Sequence, residues 1–247
     1  MSIIIKTPEE IELMSESGKI LHEILYSLKE KVVPGIKTYE LDRYSEEMFE
    51  KFDVIATFKG YQGFPASICT AVNEEIVHSI PGNRILNDGD IISIDAGVTY
   101  KGMITDSAIT IRVGKVEEST EEFVKTCEKA LVKGLAVIKP GIHLIEIGGA
   151  IQDEIEKNGY SIVKDLIGHG VGKQLHEDPE IPNFRTKNKG PILEAGMTFA
   201  IEPIVAMGSG RMETLEDNWT IVTKDRSLAA QAEHTVVVTD NGHRVLT

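Results

Sequence analysis

Asp95 and Asp106 stand in two stretches of alternating residues, Ile91 to Asp95 and Asp106 to Ile111, separated by Tyr100-Lys101-Gly102. Alternation at a period of two marks a strand with one covered face, so the spacing predicts a hairpin centred on Tyr100 and Lys101. In that register Asp95 lies directly opposite Asp106, and Ile92 faces Ile109 on the other side of the sheet. Two like charges ~5 Å apart repel by about 3 kcal/mol at an effective dielectric of ~20. Protonating one carboxyl, solvating both or holding a cation between them relieves that repulsion. A cation would bring chemistry with it; a wet sheet face is the plain alternative.

Two further carboxylates occupy similar places. Glu202 closes the apolar run Thr198-Phe199-Ala200-Ile201, and Glu233 precedes the strand-like Thr235-Val236-Val237-Val238. Four carboxylates at strand positions could converge on one point, although structural ion-pair networks produce the same pattern. His169 sits within Gly168-His169-Gly170-Val171-Gly172, with His176 seven residues on. The flanking glycines are expected to let the backbone come close to whatever His169 binds. Their spacing is not G-x-G-x-x-G and no strand-to-helix context surrounds them, which excludes a dinucleotide site. Oxygen donors with one imidazole suit Mn, Fe or Co better than a structural tetrahedral zinc. Two ions sharing such carboxylates would activate water and polarise a carbonyl, which is the chemistry of amide or ester hydrolysis.

The elements that must position these groups are written twice. Val33-Pro34-Gly35-Ile36 and Lys139-Pro140-Gly141-Ile142 each precede a helix-like segment with a glutamate four residues past the Ile, Glu40 and Glu146. The segment from Ile85 to Asp95 resembles that from Ile192 to Glu202, so Asp95 and Glu202 correspond. The offsets, 106 and 107 residues, nearly agree. Each half reads helix, helix, strands. Thr7-Pro8-Glu9-Glu10 has the capping-box pattern with Pro in the first turn, and Ile11, Met14, Gly18, Leu21, Leu25 and Leu28 share one helical face. A second helix is expected from Thr38, burying Leu41, Met48 and Phe52. In the second half Ser119-Thr120-Glu121-Glu122 opens a helix carrying Phe123, Cys127, Leu131 and Gly134. The next helix carries Ile147, Ile151 and Ile155 and stops at Asn158-Gly159. A repeat of this length is not a solenoid. The expectation is one domain, 1–247, with pseudo-symmetric halves of about 7–115 and 116–247.

The chain of 247 residues is 41% hydrophobic, enough for a substantial core. Its formal charge of −13 argues against nucleic-acid binding, which needs a basic face. Cys69 and Cys127 are the only cysteines and have neither zinc nor disulfide spacing. The stretch from Met1 to Lys6 meets Pro8 and two glutamates before a leader-length apolar run can form, and no run is long enough to span a bilayer. A soluble protein of the reducing cytosol is expected.

An ordered set of segments resembles the type I methionine aminopeptidases nearly from end to end. It includes Gly60-Tyr61-Gln62-Gly63-Phe64-Pro65, His78-Ser79-Ile80-Pro81, Asp95-Ala96-Gly97 and Thr105-Asp106-Ser107-Ala108. It continues with Gly168 to Gly172, His176-Glu177-Asp178-Pro179, Gly196 to Pro203 and Gln231-Ala232-Glu233-His234-Thr235. The resemblance implies the α/β pita-bread fold, an antiparallel sheet core flanked by helices in two halves related by a pseudo-twofold axis. It implies two divalent ions, Co, Mn, Fe or Zn, held by Asp95, Asp106, His169, Glu202 and Glu233. Asp106 and Glu233 would bridge the ions and Asp95 would chelate one. Glu202 would take the proton from a metal-bridging water that attacks the scissile carbonyl, and pass it on. His176 would hydrogen-bond the carbonyl oxygen as charge develops, and His78 would contact the nitrogen of the bond being cut. Tyr61, Phe64, Cys69 and Trp219 would form the side-chain pocket, aromatic edges and a thiol being suitable neighbours for a thioether. Phe58, Leu175 and Ala232 depart from the commonest bacterial pattern, which has cysteine, phenylalanine and phenylalanine there, and bear on pocket shape. His22, His143, His234 and His243 have no such context.

The implied reaction is removal of the initiator methionine from nascent polypeptide N-termini in the cytoplasm, with transient ribosome association. A monomer is the default because no feature of the sequence demands otherwise, and the charge and the lack of a spanning run leave neither nucleic acid nor membrane as an expected partner. Two alternatives share the fold. One is an X-Pro aminopeptidase or prolidase, which usually carries an extra N-terminal domain. The other is a non-catalytic peptide-binding module, which typically loses metal ligands, whereas all five positions here keep metal-binding side chains.

Overall fold

The first helix starts where the capping box places it. Thr7 accepts from the Glu10 backbone N–H while the Glu10 side chain accepts from Thr7, and Pro8 occupies the first turn. A computed structural model describes residues 3–247; Met1 and Ser2, part of the stretch read for a leader, lie outside it. The first half runs α1 (Pro8–Lys31), α2 (Thr38–Lys51), β1 (Ile55–Ala56), β2 (Cys69–Val72), β3 (Glu75–Val77), β4 (Ile91–Tyr100) and β5 (Met103–Arg112). The second half opens with α3 (Glu118–Ala136) and α4 (Ile145–Lys157). Its strands begin β6 (Ser161–Ile162), β7 (Gly168–Gly170), β8 (Glu177–Ile181), β9 (Thr198–Ile201) and β10 (Ile204–Ala206). They end β11 (Met212–Thr214), β12 (Ile221–Thr223), β13 (Ala229–Gln231), β14 (His234–Thr239) and β15 (Gly242–Val245).

The four helices match the sequence reading within a residue or so. Phe52, expected to be buried, caps α2 and is only half-buried, because Phe49 fills the core position one turn earlier. Gly18 is buried for a specific reason. A Cβ there would lie 2.0 Å from the Leu246 carbonyl oxygen, so glycine lets the C-terminal strand region cross α1.

All strand pairings described are antiparallel, as expected. One sheet has the order β1-β4-β2 with β5 paired to β4, and another runs β15-β14-β9-β7-β8. α1 and α2 cover the first with Leu21, Ile24, Leu25 and Leu41 against Ile92, Ile94 and Ile111. α3 and α4 cover the second with Phe123, Ile147 and Ile151 against Phe199, Ile201 and Val236. The repeated segments carry the same bonds. Gly35 donates to Leu86 and Leu86 to Ile36, while Gly141 donates to Leu193 and Leu193 to Ile142. The single bridges Lys37–Ile85 and His143–Ile192 correspond in the same way.

The hairpin register differs from the expectation by two residues. Lys101 (φ 47°) and Gly102 (φ 80°) form the turn, and Tyr100 pairs with Met103. Two consecutive positive φ values mark the tight turn whose twist suits a hairpin, and Gly102 makes it inexpensive. Asp95 therefore pairs with Ala108 and Asp106 with Gly97, while Ile92 meets Ile111 and Ile94 meets Ile109. The two aspartates still share a face, as diagonal neighbours rather than a direct pair.

Candidate metal centre

Each of the five predicted ligands is fixed by a strand or a strand end. Asp95 and Asp106 project from the middle of β4 and β5, His169 from β7, Glu202 from the end of β9, and Glu233 from the link between β13 and β14. A seam of short side chains brings the two sheets together at this point. Thr235 Oγ1 accepts from Asp106 N (2.9 Å) and donates to its carbonyl (2.8 Å). Ser107 Oγ donates to the Glu233 carbonyl (2.7 Å), and Glu233 N donates to the Ala108 carbonyl (2.9 Å). Such bonds satisfy the buried backbone where β5 and β14, which belong to different sheets, meet.

Ligand atoms of Asp106, His169 and Glu233 all lie within 4.8 Å of one another. His169 Nε2 is 3.7 Å from Glu202 Oε1 and 3.9 Å from Asp106 Oδ2. Asp95 Oδ1, Asp106 Oδ1 and Glu233 Oε1 are buried with no hydrogen-bond partner. Among the described residues no Lys or Arg forms an ion pair with Asp106 or Glu202, and the basic side chain beside both is His169. Orphaned carboxylate oxygens beside an imidazole are what a divalent cation would satisfy. The wet-face and ion-pair readings lose their footing, and the donor set fits a metal.

The electrostatics agree. Burial raises Asp106, Glu202 and Glu233 well above the ordinary carboxylate range, and neighbouring carboxylates raise them further. Burial takes Asp95 to about 7 despite hydrogen bonds with Asp106 and Gln231. Burial and the neighbouring His176 bring His169 down to about 4, leaving it neutral and able to ligate.

The cluster floors a cavity of about 510 Å³ whose walls include Tyr61, Phe64, Cys69, Trp219, His78 and His176. Phe64 and Trp219 meet edge to face at 5.1 Å. Cys69 pairs across the sheet with Asp95; burial and the two nearby aspartates keep its thiol protonated. His176 sits 4.3 Å from His169, ring to ring, and its Nδ1 is 2.8 Å from the Tyr61 hydroxyl. His78 lies at the mouth in a left-handed conformation, φ 58°. All the residues read from the sequence as ligands, catalytic groups or pocket therefore meet at one cavity. Phe58 and Leu175 line it too. Ala232 does not; it faces a groove behind the sheet, near His22 and His234, because Gln231 and Glu233 on either side of it turn toward the cluster.

Gln231 was not singled out as a site residue, yet its Nε2 donates to Glu233 Oε2 (3.3 Å). Its place two residues before Glu233 was the available signal. The glycines around His169 serve a different purpose from the one expected. A Cβ at Gly168 would lie 2.4 Å from the Ala200 carbonyl oxygen, and one at Gly170 would lie 2.2 Å from that of Asp178. They admit the neighbouring strands β9 and β8, not a ligand.

Antiparallel sheets between paired helices, with carboxylates and an imidazole gathered at the floor of a cavity, define a metal-dependent hydrolase. Residues 12–240 match metallopeptidase family M24, and the chain belongs to that family. A methionine aminopeptidase of Clostridium perfringens is 48% identical over 245 residues, 99% of this chain and 98% of that protein. The crystal structure of a methionine aminopeptidase from Thermotoga maritima superposes with a TM-score of 0.97 at 42% identity, covering 100% of this chain and 99% of that one. A prolidase from Pyrococcus horikoshii shares the fold at a TM-score of 0.80 and 23% identity, and this chain covers 63% of it.

Proposed function

We propose that this chain is a methionine aminopeptidase that removes the first residue from nascent polypeptides in the cytoplasm, acting as a monomer with two divalent ions held by Asp95, Asp106, His169, Glu202 and Glu233. The observation that carries this is the set of orphaned carboxylate oxygens beneath an aromatic-walled cavity; the names of relatives matched along nearly the whole chain support the specificity. When bound, the ions would supply an activated water and polarise the scissile carbonyl. Asp106, Glu233 and Asp95 would serve as carboxylate ligands to them, with His169 as the imidazole ligand. Glu202 accepts the proton of the attacking water and delivers it to the leaving amine.

His176 donates to the carbonyl oxygen as charge accumulates there. A carbonyl oxygen only accepts, so the proton must sit on Nε2. The Tyr61 hydroxyl, 2.8 Å from Nδ1, then donates and fixes that tautomer. Desolvation lowers the His176 pKa, keeping the ring neutral, so the tautomer matters. His78 contacts the departing nitrogen. Tyr61, Phe64, Cys69 and Trp219 receive the methionine side chain, and Phe58 and Leu175 narrow the same space.

The reading is tested by assaying metal-loaded protein on peptides beginning Met-Gly, Met-Ala, Leu-Gly and Ala-Pro. Release confined to the two methionine peptides is expected. Release from Ala-Pro instead would keep the centre and replace the specificity, whereas no release with metal bound would leave a binding module.

A further inference from the structure

His176 lies in a turn, where a side chain is less firmly placed than on a strand, yet its proposed role demands placement to a fraction of an ångström. The turn is held from behind by a buried ion pair. Lys6 Nζ lies 2.6 Å from Glu177 Oε2, with the two side chains 1% and 3% exposed. Glu177 is the residue after His176. Its other oxygen, Oε1, accepts from the backbone N–H groups of Lys173 (2.6 Å) and Gln174 (3.0 Å). One carboxylate thus ties both ends of the turn together and fastens it to the N-terminal segment.

Lys6 is itself anchored. Its backbone N donates to the Gly196 carbonyl (2.9 Å), and its ammonium also donates to the Ile4 carbonyl (3.2 Å). Gly172 makes room for it, since a Cβ there would lie 2.2 Å from Lys6 Cε. That accounts for the third glycine of Gly168-His169-Gly170-Val171-Gly172, which no ligand role explained. At the start of the turn, Ile104 N donates to the Gly172 carbonyl (2.7 Å) and so fastens it to β5. A buried ion pair is a poor means of stabilising a fold, because desolvation offsets most of the attraction. What it supplies is direction: an ammonium and two N–H groups converge on one carboxylate in a single geometry.

We propose that Lys6 and Glu177 are positioning residues for His176, their buried ion pair fixing the 172–177 turn so that the imidazole meets both the Tyr61 hydroxyl and the substrate carbonyl. This rests on the reading of His176 as the carbonyl-oxygen donor. The test is a mutant cycle on metal-loaded protein with a Met-Ala-starting peptide. It compares the neutral double variant Lys6→Met/Glu177→Gln, His176→Ala and the three changes combined, with ion content measured for each. The double variant should lower kcat about tenfold with KM within about twofold. His176→Ala should lower kcat by about a hundredfold or more, and adding the other two changes should then alter it less than about twofold. Losses that multiply, or full kcat in the double variant, overturn the inference alone. An unchanged kcat in His176→Ala removes the reading of that histidine and the inference with it. If the double variant does not fold, Lys6→Met alone gives the same cycle, since the Glu177 carboxylate keeps the N–H groups of Lys173 and Gln174 and loses only the ammonium.

Discussion

Asp95, Asp106, Glu202 and Glu233 crowd into one buried site with a single neutral imidazole among them. Without a cation, their charge is avoided by taking up protons. A folded-state pKa raised above the unfolded value contributes stability that is present at low pH and lost as pH rises through the folded value. The histidines act oppositely: burial lowers His169 and His234 to about 4, so their contribution is lost as pH falls below about 6.5. The two effects oppose each other between about pH 4 and 6.5, and only the carboxylates remain above it. The ion-free protein should therefore lose thermal stability from about pH 6.5 to 8.5, and the metal-loaded protein should lose much less. Parallel melting curves for the two forms would show that the cluster does not carry the charge assigned to it. The identities of these residues were legible in the sequence because carboxylates inside apolar alternation are conspicuous. Gln231 was not, because an amide beside a glutamate has no chemistry of its own to draw notice.

Strands place these groups, and strand β7 does so with unusually little room. Gly168 and Gly170 flank His169, and the carbonyls of Ala200 and Asp178 lie where their β-carbons would be. Gly170→Ala should push β8 from β7, costing about 1–3 kcal/mol as overpacking does, and should weaken metal binding by displacing His169. Denaturant unfolding and metal titration measure the two effects; wild-type values for both would mean that β8 yields without disturbing the ligand. The sequence marked these glycines as meaningful but assigned them to the ligand, since which strands pair on either side of β7, and so bring Ala200 and Asp178 against them, cannot be seen from local spacing. The β4–β5 hairpin shows the same limit. Alternation identified both strands and the common face of their aspartates, but the turn alone sets register. Lys101 adopting positive φ moved the pairing by two residues, which preserved the face and changed the partner.

Across the whole molecule, the two Pro-Gly segments make corresponding hydrogen bonds and bridges, one early and one late in the chain. Each half contributes ligands from its own sheet, and the seam from Thr110 to Gln231 and from Asp106 to Thr235 joins them. The helix-helix-strands order was legible from capping signals and apolar period. The seam was not, because serine and threonine side chains bonding to distant backbone leave no periodic trace. No helix is long and apolar enough to cross a membrane. Under the proposed function, cleavage after an N-terminal methionine requires a divalent ion held between the halves. The direct measurement is to strip the protein with chelator, verify its ion content by elemental analysis, and restore Mn, Fe, Co or Zn separately under anaerobic conditions. Methionine release from a Met-Ala-starting peptide is then followed in wild type and in Glu202→Ala. No release is expected from the ion-free protein, recovery with at least one of these ions, and no recovery in Glu202→Ala that has bound metal. Full release by the ion-free protein, or by metal-bearing Glu202→Ala, would rule out metal-dependent hydrolysis with Glu202 as the proton carrier.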